Sequence, residues 1–141
     1  MIYDIAETSD LGTCHALRQT VFIEEQNVPV EVEMDDKDSE AIHILAKTED
    51  GAAVGTARLL FVGSTGKIGR VCVVKDHRGT GLGTALIQFS IEHLRQTPQI
   101  TRAKLGAQQH AIGFYEKLGF TICGPEYQDG GIPHFDMDCP L

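Results

Sequence analysis

The chain has 141 residues, 42% of them hydrophobic and 23% charged, so its length and composition suit one compact domain with an ordinary core. Its 12 lysines and arginines face 20 aspartates and glutamates, a formal net charge of -8. That balance argues against a general nucleic-acid binder, because phosphate binding needs clustered basic residues. The N-terminal sequence MIYDIAETSD lacks a signal-peptide pattern, and no apolar run is long enough to span a bilayer. We therefore expect a cytoplasmic protein with reduced cysteines and no membrane partner.

Periodicity predicts a strand and a helix in the first part of the chain. The alternating stretch from Ile2 to Ala6 predicts the strand, and helical spacing of apolar residues from Leu11 to Val21 predicts the helix, which should end before Pro29. An acidic run from Glu31 to Glu40 follows. We interpret it as a solvated loop, with a site that attracts a cationic substrate as the alternative.

The rest of the chain alternates strands with two helices. Three strand candidates come first: 42–47, 53–62 and 67–74. A glycine-rich loop leads into a helix from about Leu82 to Thr97, and then come a strand over 101–106, a helix over 110–118 and a strand pair at 120–123 and 135–139. The order β-α-βββ-α-β-α-ββ predicts one α/β (α+β) domain over residues 1–141, with a mixed, mostly antiparallel central sheet flanked by helices.

The most informative motif is RGTGLG, from Arg78 to Gly83, between a strand and a helix. Glycines let backbone amides approach a ligand, and the first turn of a helix has unpaired N–H groups and a partial positive charge, so the motif suits a pyrophosphate. The dinucleotide-binding pattern G-x-G-x-x-G does not match, because it needs a glycine where Thr84 follows Gly83. The Walker A pattern does not match at Gly66-Lys67, because it needs Ser or Thr where Ile68 stands. The pattern R-x-x-G-x-G is satisfied. A glycine-rich helix entry without a ligand remains the alternative on this motif alone.

A second segment, AIGFYEKLGF from Ala111 to Phe120, lies about 30 residues downstream of the loop. With both motifs in this order, the chain resembles the Gcn5-related N-acetyltransferase (GNAT) superfamily from the meander to the C-terminus. The pieces RQTVFIEEQNVP, MDDKD, AIH and GIPH are similar to its ElaA/YjcF-like branch.

The resemblance implies an enzyme that uses acetyl-CoA as cosubstrate to acetylate an amine. It implies that the backbone of Val71, Cys72 and Val73 binds the pantetheine arm and that the glycine-rich loop binds the pyrophosphate through Arg78, Gly79, Thr80, Gly81, Gly83 and Thr84. Gln108 or Gln109 is implied as a further cofactor contact. Tyr115 matches the tyrosine that protonates the leaving thiolate, and a phenol suits that role at neutral pH.

The base that deprotonates the amine is left open by the sequence. Many members carry a glutamate on the strand before the loop, whereas 67–74 contains no carboxylate. The candidates near the acceptor are Glu25, Asp38, His43, His110 and His134, with ordered water as the alternative. We expect no metal, because the histidines lack ligand spacing. Arg58 and Arg70 are interpreted as cleft residues or as surface salt bridges.

We expect the acceptor to be a small-molecule amine or an amino sugar. Acetylation of a protein amine, a CoA-binding sensor without turnover, and a nucleotide binder are the alternatives. Homodimer formation is an expectation that comes from the resemblance alone.

Overall fold

One mixed sheet carries the helices on its two faces. The computed structural model describes residues 2–141, and its strands are β1 (Tyr3–Thr8), β2 (Ile42–Thr48), β3 (Ala53–Val62), β4 (Thr65–Val73), β5 (Arg102–Gln108), β6 (Thr121–Ile122), β7 (Tyr127–Asp129) and β8 (Ile132–Pro140). The α-helices are α1 (Leu11–Arg18), α2 (Val30–Glu33), α3 (Leu82–Arg95) and α4 (Ile112–Glu116). A π-helix, Gln19–Glu25, continues α1, and short 3-10 turns lie at Asp38–Glu40, Lys75–His77 and Gln109–Ala111.

The strand order within the described residues is β1-β2-β3-β4-β5-β8-β6, with β7 pairing against β8. Neighbours are antiparallel except β4 and β5, which run parallel. The helix that crosses between these two strands is α3, as a parallel pair requires. The predicted mixed, mostly antiparallel sheet flanked by helices is confirmed.

The first helix differs from its prediction in geometry. Asp10 caps α1 by accepting a hydrogen bond from the Thr13 amide (3.2 Å), but after Arg18 the backbone widens into the π-helix. The Gln26 amide there donates to the Val21 carbonyl, five residues back. Helical spacing of apolar residues does not separate an α-helix from a π-helix, and π segments are frequent at functional sites.

Two apolar clusters lie on opposite faces of the sheet. On one face α3 buries Leu82, Leu86, Ile87, Ile91 and Leu94. Gly66 of β4 makes this contact close, because a Cβ there would lie 2.3 Å from a Leu94 methyl carbon. On the other face α1 and the π-helix bury Cys14, Leu17 and Val21 against Leu45 and Cys72. That second cluster covers only part of its face, and the remainder is open.

Two sequence predictions need correction. The acidic run is not simply a solvated loop, since it forms α2 and a 3-10 turn, and Glu33 and Asp38 in it are buried. The predicted final strand pair exists as the short β6 against β8, but β8 begins at Ile132 and also pairs with β7, which sequence reasoning missed. The three residues of β7 are too few for an alternating pattern to register.

No helix among residues 2–141 is both long and apolar enough to cross a membrane. The same residues contain no group of three or more histidine, cysteine or carboxylate side chains close enough to hold a metal ion. The cysteines are all unpaired; Cys14 and Cys72 are buried, and Cys123 is exposed.

Candidate active site

A cavity of about 590 Å³ lies where β4 and β5 separate. Their parallel pairing covers only four residue pairs, from Thr65–Arg102 to Ile68–Leu105. Beyond Ile68 the register of β4 against β3 shifts, because Arg58 pairs with Gly69 whereas Thr56 pairs with Cys72. Arg70 takes a positive φ of 50° in this bulge. The bulge turns β4 away from β5, so within residues 2–141 no strand pairs with Gly69–Val73 on that side.

The cavity extends through this gap between the two strands. Close to the gap it is lined by Val71 of β4, by Ala111 just before α4, and by Phe114 and Tyr115 of α4. On the face that carries α1 it is lined mainly by polar and charged residues of α2, β3, β4, β5 and β8, among them Arg58, Lys67, Arg70, Lys104, His134 and Asp136. The two ends of the cavity therefore differ in chemistry.

The glycine-rich loop is open at the start of α3. Gly79 and Gly81 adopt left-handed backbone with φ of 76° and 89°, which residues with a Cβ rarely take. The first intrahelical bond of α3 runs from the Ala85 amide to the Gly81 carbonyl, so the amides just before it point away from the helix. Apart from the adjacent residues of the loop, no atom of residues 2–141 lies within 4 Å of the position of a Cβ on either glycine. The free amides, the open space and the helix dipole together suit an anion.

Two side chains of the loop are already engaged. The Thr80 hydroxyl donates to the His77 carbonyl (2.7 Å) and accepts from the Tyr3 hydroxyl (3.0 Å). Arg78 Nε donates to the Val73 carbonyl (2.9 Å), and its Nη2 pairs with Glu25 at 2.7 Å. The Arg78 side chain is 44% exposed, so an anion can reach it, but that anion would compete with Glu25.

Tyr115 projects from α4 to the cavity and is half-buried. Its ring packs edge-on against Phe114, with centroids 5.0 Å apart, and against Phe120 at 6.1 Å. Burial raises the pKa of Tyr115 to about 12, so its hydroxyl stays protonated at neutral pH. A protonated phenol at the gap between β4 and β5 is able to act as a general acid.

Of the acceptor candidates, His134 is the one that lines the cavity. It is 9% exposed, and its ring stacks on Tyr127 with centroids 5.7 Å apart. Its Nδ1 lies 2.8 Å from the Ile132 carbonyl, which can only accept, so Nδ1 carries the proton. With the Nδ1 proton held by this carbonyl, Nε2 is the ring nitrogen that is left to exchange a proton with a substrate.

The other four candidates lie elsewhere. Glu25 pairs with Arg78 beside the glycine-rich loop, and His110 is exposed outside the cavity. His43 is buried with its Nε2 3.0 Å from the Asp38 carbonyl, and Asp38 is enclosed by arginines. None of these four side chains lines the cavity that Tyr115 and His134 share.

The side chains of two cofactor candidates, Cys72 and Gln108, are already engaged within the protein. Burial raises the pKa of the Cys72 thiol to about 12, and its side chain belongs to the apolar cluster under α1. Gln108 lines the cavity, but its amide donates to the Gln26 side chain at 2.9 Å and so bridges β5 to the chain after the π-helix.

A buried ion network that sequence reasoning missed fixes the α2 segment beside the cavity. Arg18, only 1% exposed, donates to Glu33 and to both carboxylate oxygens of Asp38 (2.9 and 3.1 Å). Arg58, 4% exposed, donates to Asp35 (2.8 Å) and to Asp38 (3.1 Å). Arg58 is therefore not part of a surface salt bridge. An arginine within the apolar run of β3 was the signal that could have revealed it.

Arg70 joins the same network from the β4 bulge. Its Nη2 donates to the carbonyls of Val32 and Glu33, both at 3.2 Å, and to Asp35 at 3.3 Å. Burial and the nearby charge of Arg58 lower the pKa of Arg70. The bulge that opens the gap is thus tied directly to α2.

Comparisons with known proteins agree with this architecture. The sequence matches the Acetyltransferase (GNAT) domain family over residues 10–141, and the chain belongs to that family. It is 40% identical to the Bacillus subtilis acetyltransferase BSU40680 over 136 residues, covering 94% of this chain and 91% of the relative. It is 37% identical to the N-acetyltransferase YjcF of the same organism over 123 residues, 86% of each chain.

A solved structure extends the likeness to the fold. Escherichia coli ElaA superposes with a TM-score of 0.86 at 29% identity, covering 98% of this chain and 99% of that one. The protein is therefore an acyltransferase of the GNAT family, in its ElaA/YjcF-like branch.

Proposed function

We propose that this protein is a cytoplasmic, acetyl-CoA-dependent N-acetyltransferase that acts on the primary amine of a small molecule or an amino sugar. The observation that carries the proposal is the gap between β4 and β5, with the open glycine-rich loop on the neighbouring helix and the cavity running through it. A cavity of this volume is in the range of small-molecule sites. A GNAT acetyltransferase from Elizabethkingia anophelis, with a TM-score of 0.73 and 16% identity, has acetyl-CoA bound.

Acetyl-CoA suits the residues present at this gap. The edge of Val71–Val73 that faces β5 would bind the pantetheine arm as an added strand, although the Val73 carbonyl already accepts a hydrogen bond from Arg78. The amides from Gly81 to Thr84 would bind the pyrophosphate, with Arg78 as a charged donor once it exchanges Glu25 for phosphate. Gln108 would contact the cofactor at the cavity wall.

The transfer itself would be a direct attack. The amine nitrogen bonds to the thioester carbonyl carbon and the carbon–sulfur bond breaks, while a backbone amide of the β4 bulge stabilises the developing oxyanion. His134 Nε2 accepts the proton that the amine loses. Tyr115 gives its phenolic proton to the departing CoA sulfur. Both groups line one cavity, which supports a division into base and acid.

A thermal-shift titration with acetyl-CoA, CoA, NAD and ATP tests the proposal, because a ligand of the folded state raises its melting temperature. We expect a rise with acetyl-CoA and CoA alone, and release of free thiol when amines are added. Gly81→Trp should abolish the rise, since the indole would cover the loop amides.

Gly63→Trp is the matched control. Gly63 also has a positive φ, 59°, with open space around its Cβ position, so it carries similar backbone strain outside the loop. It should keep the response to acetyl-CoA. An unchanged melting temperature with acetyl-CoA and CoA in the wild-type protein would refute the proposal, as would an equal response to ATP.

A further inference from the structure

The cavity has the opposite charge balance to the chain as a whole. Its lining contains five lysines and arginines (Lys37, Arg58, Lys67, Arg70 and Lys104) and four carboxylates (Glu33, Asp35, Asp129 and Asp136). The whole chain has 12 basic and 20 acidic residues. A basic excess confined to one concave site in an acidic protein raises the local concentration of anions.

The carboxylates on one wall are already neutralised. Glu33 accepts from Arg18, and Asp35 accepts from Arg58 at 2.8 Å and from Arg70 at 3.3 Å. These acids belong to the run whose charge raised the alternative of a cationic substrate. Arginines neutralise these two carboxylates, and the other acids of the run do not line the cavity, so the run gives no reason to expect a cationic group in the acceptor.

Two lysines lie next to each other on the sheet surface that lines the cavity. Lys67 of β4 pairs in parallel register with Lys104 of β5, so their side chains leave the same face of adjacent strands about 4.8 Å apart at the backbone. Lys104 Nζ lies 3.6 Å from Asp136, a carboxylate that also accepts from the Tyr127 hydroxyl at 2.8 Å. Lys67 has no carboxylate within 4 Å among residues 2–141. Like charges directly opposite each other across strands destabilise a sheet, and Asp136 offsets the charge of Lys104 alone.

One buried donor in the cavity lining also lacks a partner. Within the described chain, Nε of Arg58 is buried without a hydrogen-bond partner, whereas Nε of Arg70 lies 3.5 Å from Glu33. Arg58 is 4% exposed, so its free N–H costs energy unless a ligand accepts it. The part of the cavity on the face that carries α1 thus has more basic than acidic side chains and a buried N–H group without an acceptor.

We propose that the acceptor is an amine that also carries an anionic group, a carboxylate or a phosphate, and that Lys67 and Lys104 bind that group. This inference rests on the proposed function, whose acceptor class it narrows. Lysine ammonium groups attract either anion as point charges, without the bidentate geometry that would select one of them. Lys67 and Lys104 would bind the anionic group of the acceptor beside β4 and β5, and the amine of the acceptor would extend to the gap between these strands.

Matched pairs of amines test the proposal. Glycine against glycinamide isolates a carboxylate, and O-phosphoethanolamine against ethanolamine isolates a phosphate. For each pair, kcat/KM with saturating acetyl-CoA is measured by thiol release. We expect the anionic member of at least one pair to be preferred, and the pair that shows it identifies the anion.

Charge reversal at the lysines should remove that preference. Lys67→Glu and Lys104→Glu should each lower kcat/KM for the anionic amine by about tenfold relative to its neutral counterpart. Lys67→Met removes the positive charge without adding a negative one, so it should lower the same ratio of kcat/KM values less than Lys67→Glu does. Lys47→Glu is the matched control, an exposed strand lysine that does not line the cavity, and should leave the preference intact.

The two proposals fail in distinguishable ways. If acetyl-CoA binds but neither anionic amine is acetylated faster than its neutral counterpart, the anion site is refuted while the cofactor assignment stands. The anion site is refuted as well if the preference survives in Lys67→Glu and Lys104→Glu, or falls equally in Lys47→Glu. If acetyl-CoA causes no thermal shift, the proposed function itself is refuted.

Discussion

Replacing Asp38 by asparagine would test whether the buried ion network holds the α2 segment in place. Asp38 accepts four hydrogen bonds, two from Arg18, one from Arg58 and one from His15. Asparagine keeps the shape but turns one acceptor oxygen into an NH₂ group that faces donors. It also leaves Arg18, 1% exposed, with Glu33 as its remaining carboxylate.

The expected loss follows from these contacts. Breaking one partner of a buried charge network costs about 3 to 5 kcal/mol. For a chain of this length the lower end corresponds to a fall in melting temperature of about 12 °C. Urea unfolding at pH 7 measures the change in free energy of unfolding. Asp36→Asn is the control, because Asp36 is exposed in the same segment and forms no ion pair among residues 2–141.

The pH dependence of the stability difference between wild type and Asp38→Asn is a second test. Burial by itself would raise the pKa of Asp38, but hydrogen bonds from Arg18 and His15 and the charge of Arg18 outweigh it and hold the pKa well below its usual range. The carboxylate therefore contributes its full stability above its unfolded pKa of about 3.9, and this is lost as the pH falls below that value toward the folded pKa.

The stability difference between wild type and Asp38→Asn should thus shrink as the pH falls below about pH 4. A difference under about 1 kcal/mol at pH 7 would refute the account of a buried network, because exposed ion pairs reach that size. A difference that does not change with pH would refute the link to Asp38 ionisation.

Three further variants test the proposed chemistry and the loop. Tyr115→Phe should lower kcat by about 100-fold or more with an unchanged Kd for acetyl-CoA, since it removes only the acid; unchanged turnover would exclude that role. His134→Gln should lower kcat by a similar factor, and the proposed base would be wrong if kcat stayed within about twofold of wild type. Glu25→Gln should strengthen acetyl-CoA binding by about two- to fivefold, because it removes the carboxylate that competes for Arg78. Glu24→Gln, exposed and outside that ion pair, should bind acetyl-CoA like wild type, and equal affinity of both variants would contradict the competition.

Features that depend on neighbouring residues could be predicted from the sequence. The glycines of RGTGLG predict a loop at a helix start, because glycine conformations and unpaired helix amides are local properties. The loop does lie at the start of α3, with Gly79 and Gly81 at positive φ. The mixed sheet likewise followed from alternation and turns, and the family from two motifs in order. The roles of Tyr115 and of the loop residues stay predictions.

Contacts between residues that are far apart in the chain were determined only by the tertiary structure. Asp38 looked like a candidate for substrate contact until Arg18 and Arg58, both 20 residues away, enclosed it. Five residues were equivalent in sequence as acceptor contacts, and the register of β8 brought His134 alone to the cavity. Lys67 and Lys104 are far apart in the chain, yet the parallel pairing of their strands makes them neighbours. Charge and hydrogen-bond partners across a sheet depend on register, which arises when the whole core packs, so no local pattern in the chain records them.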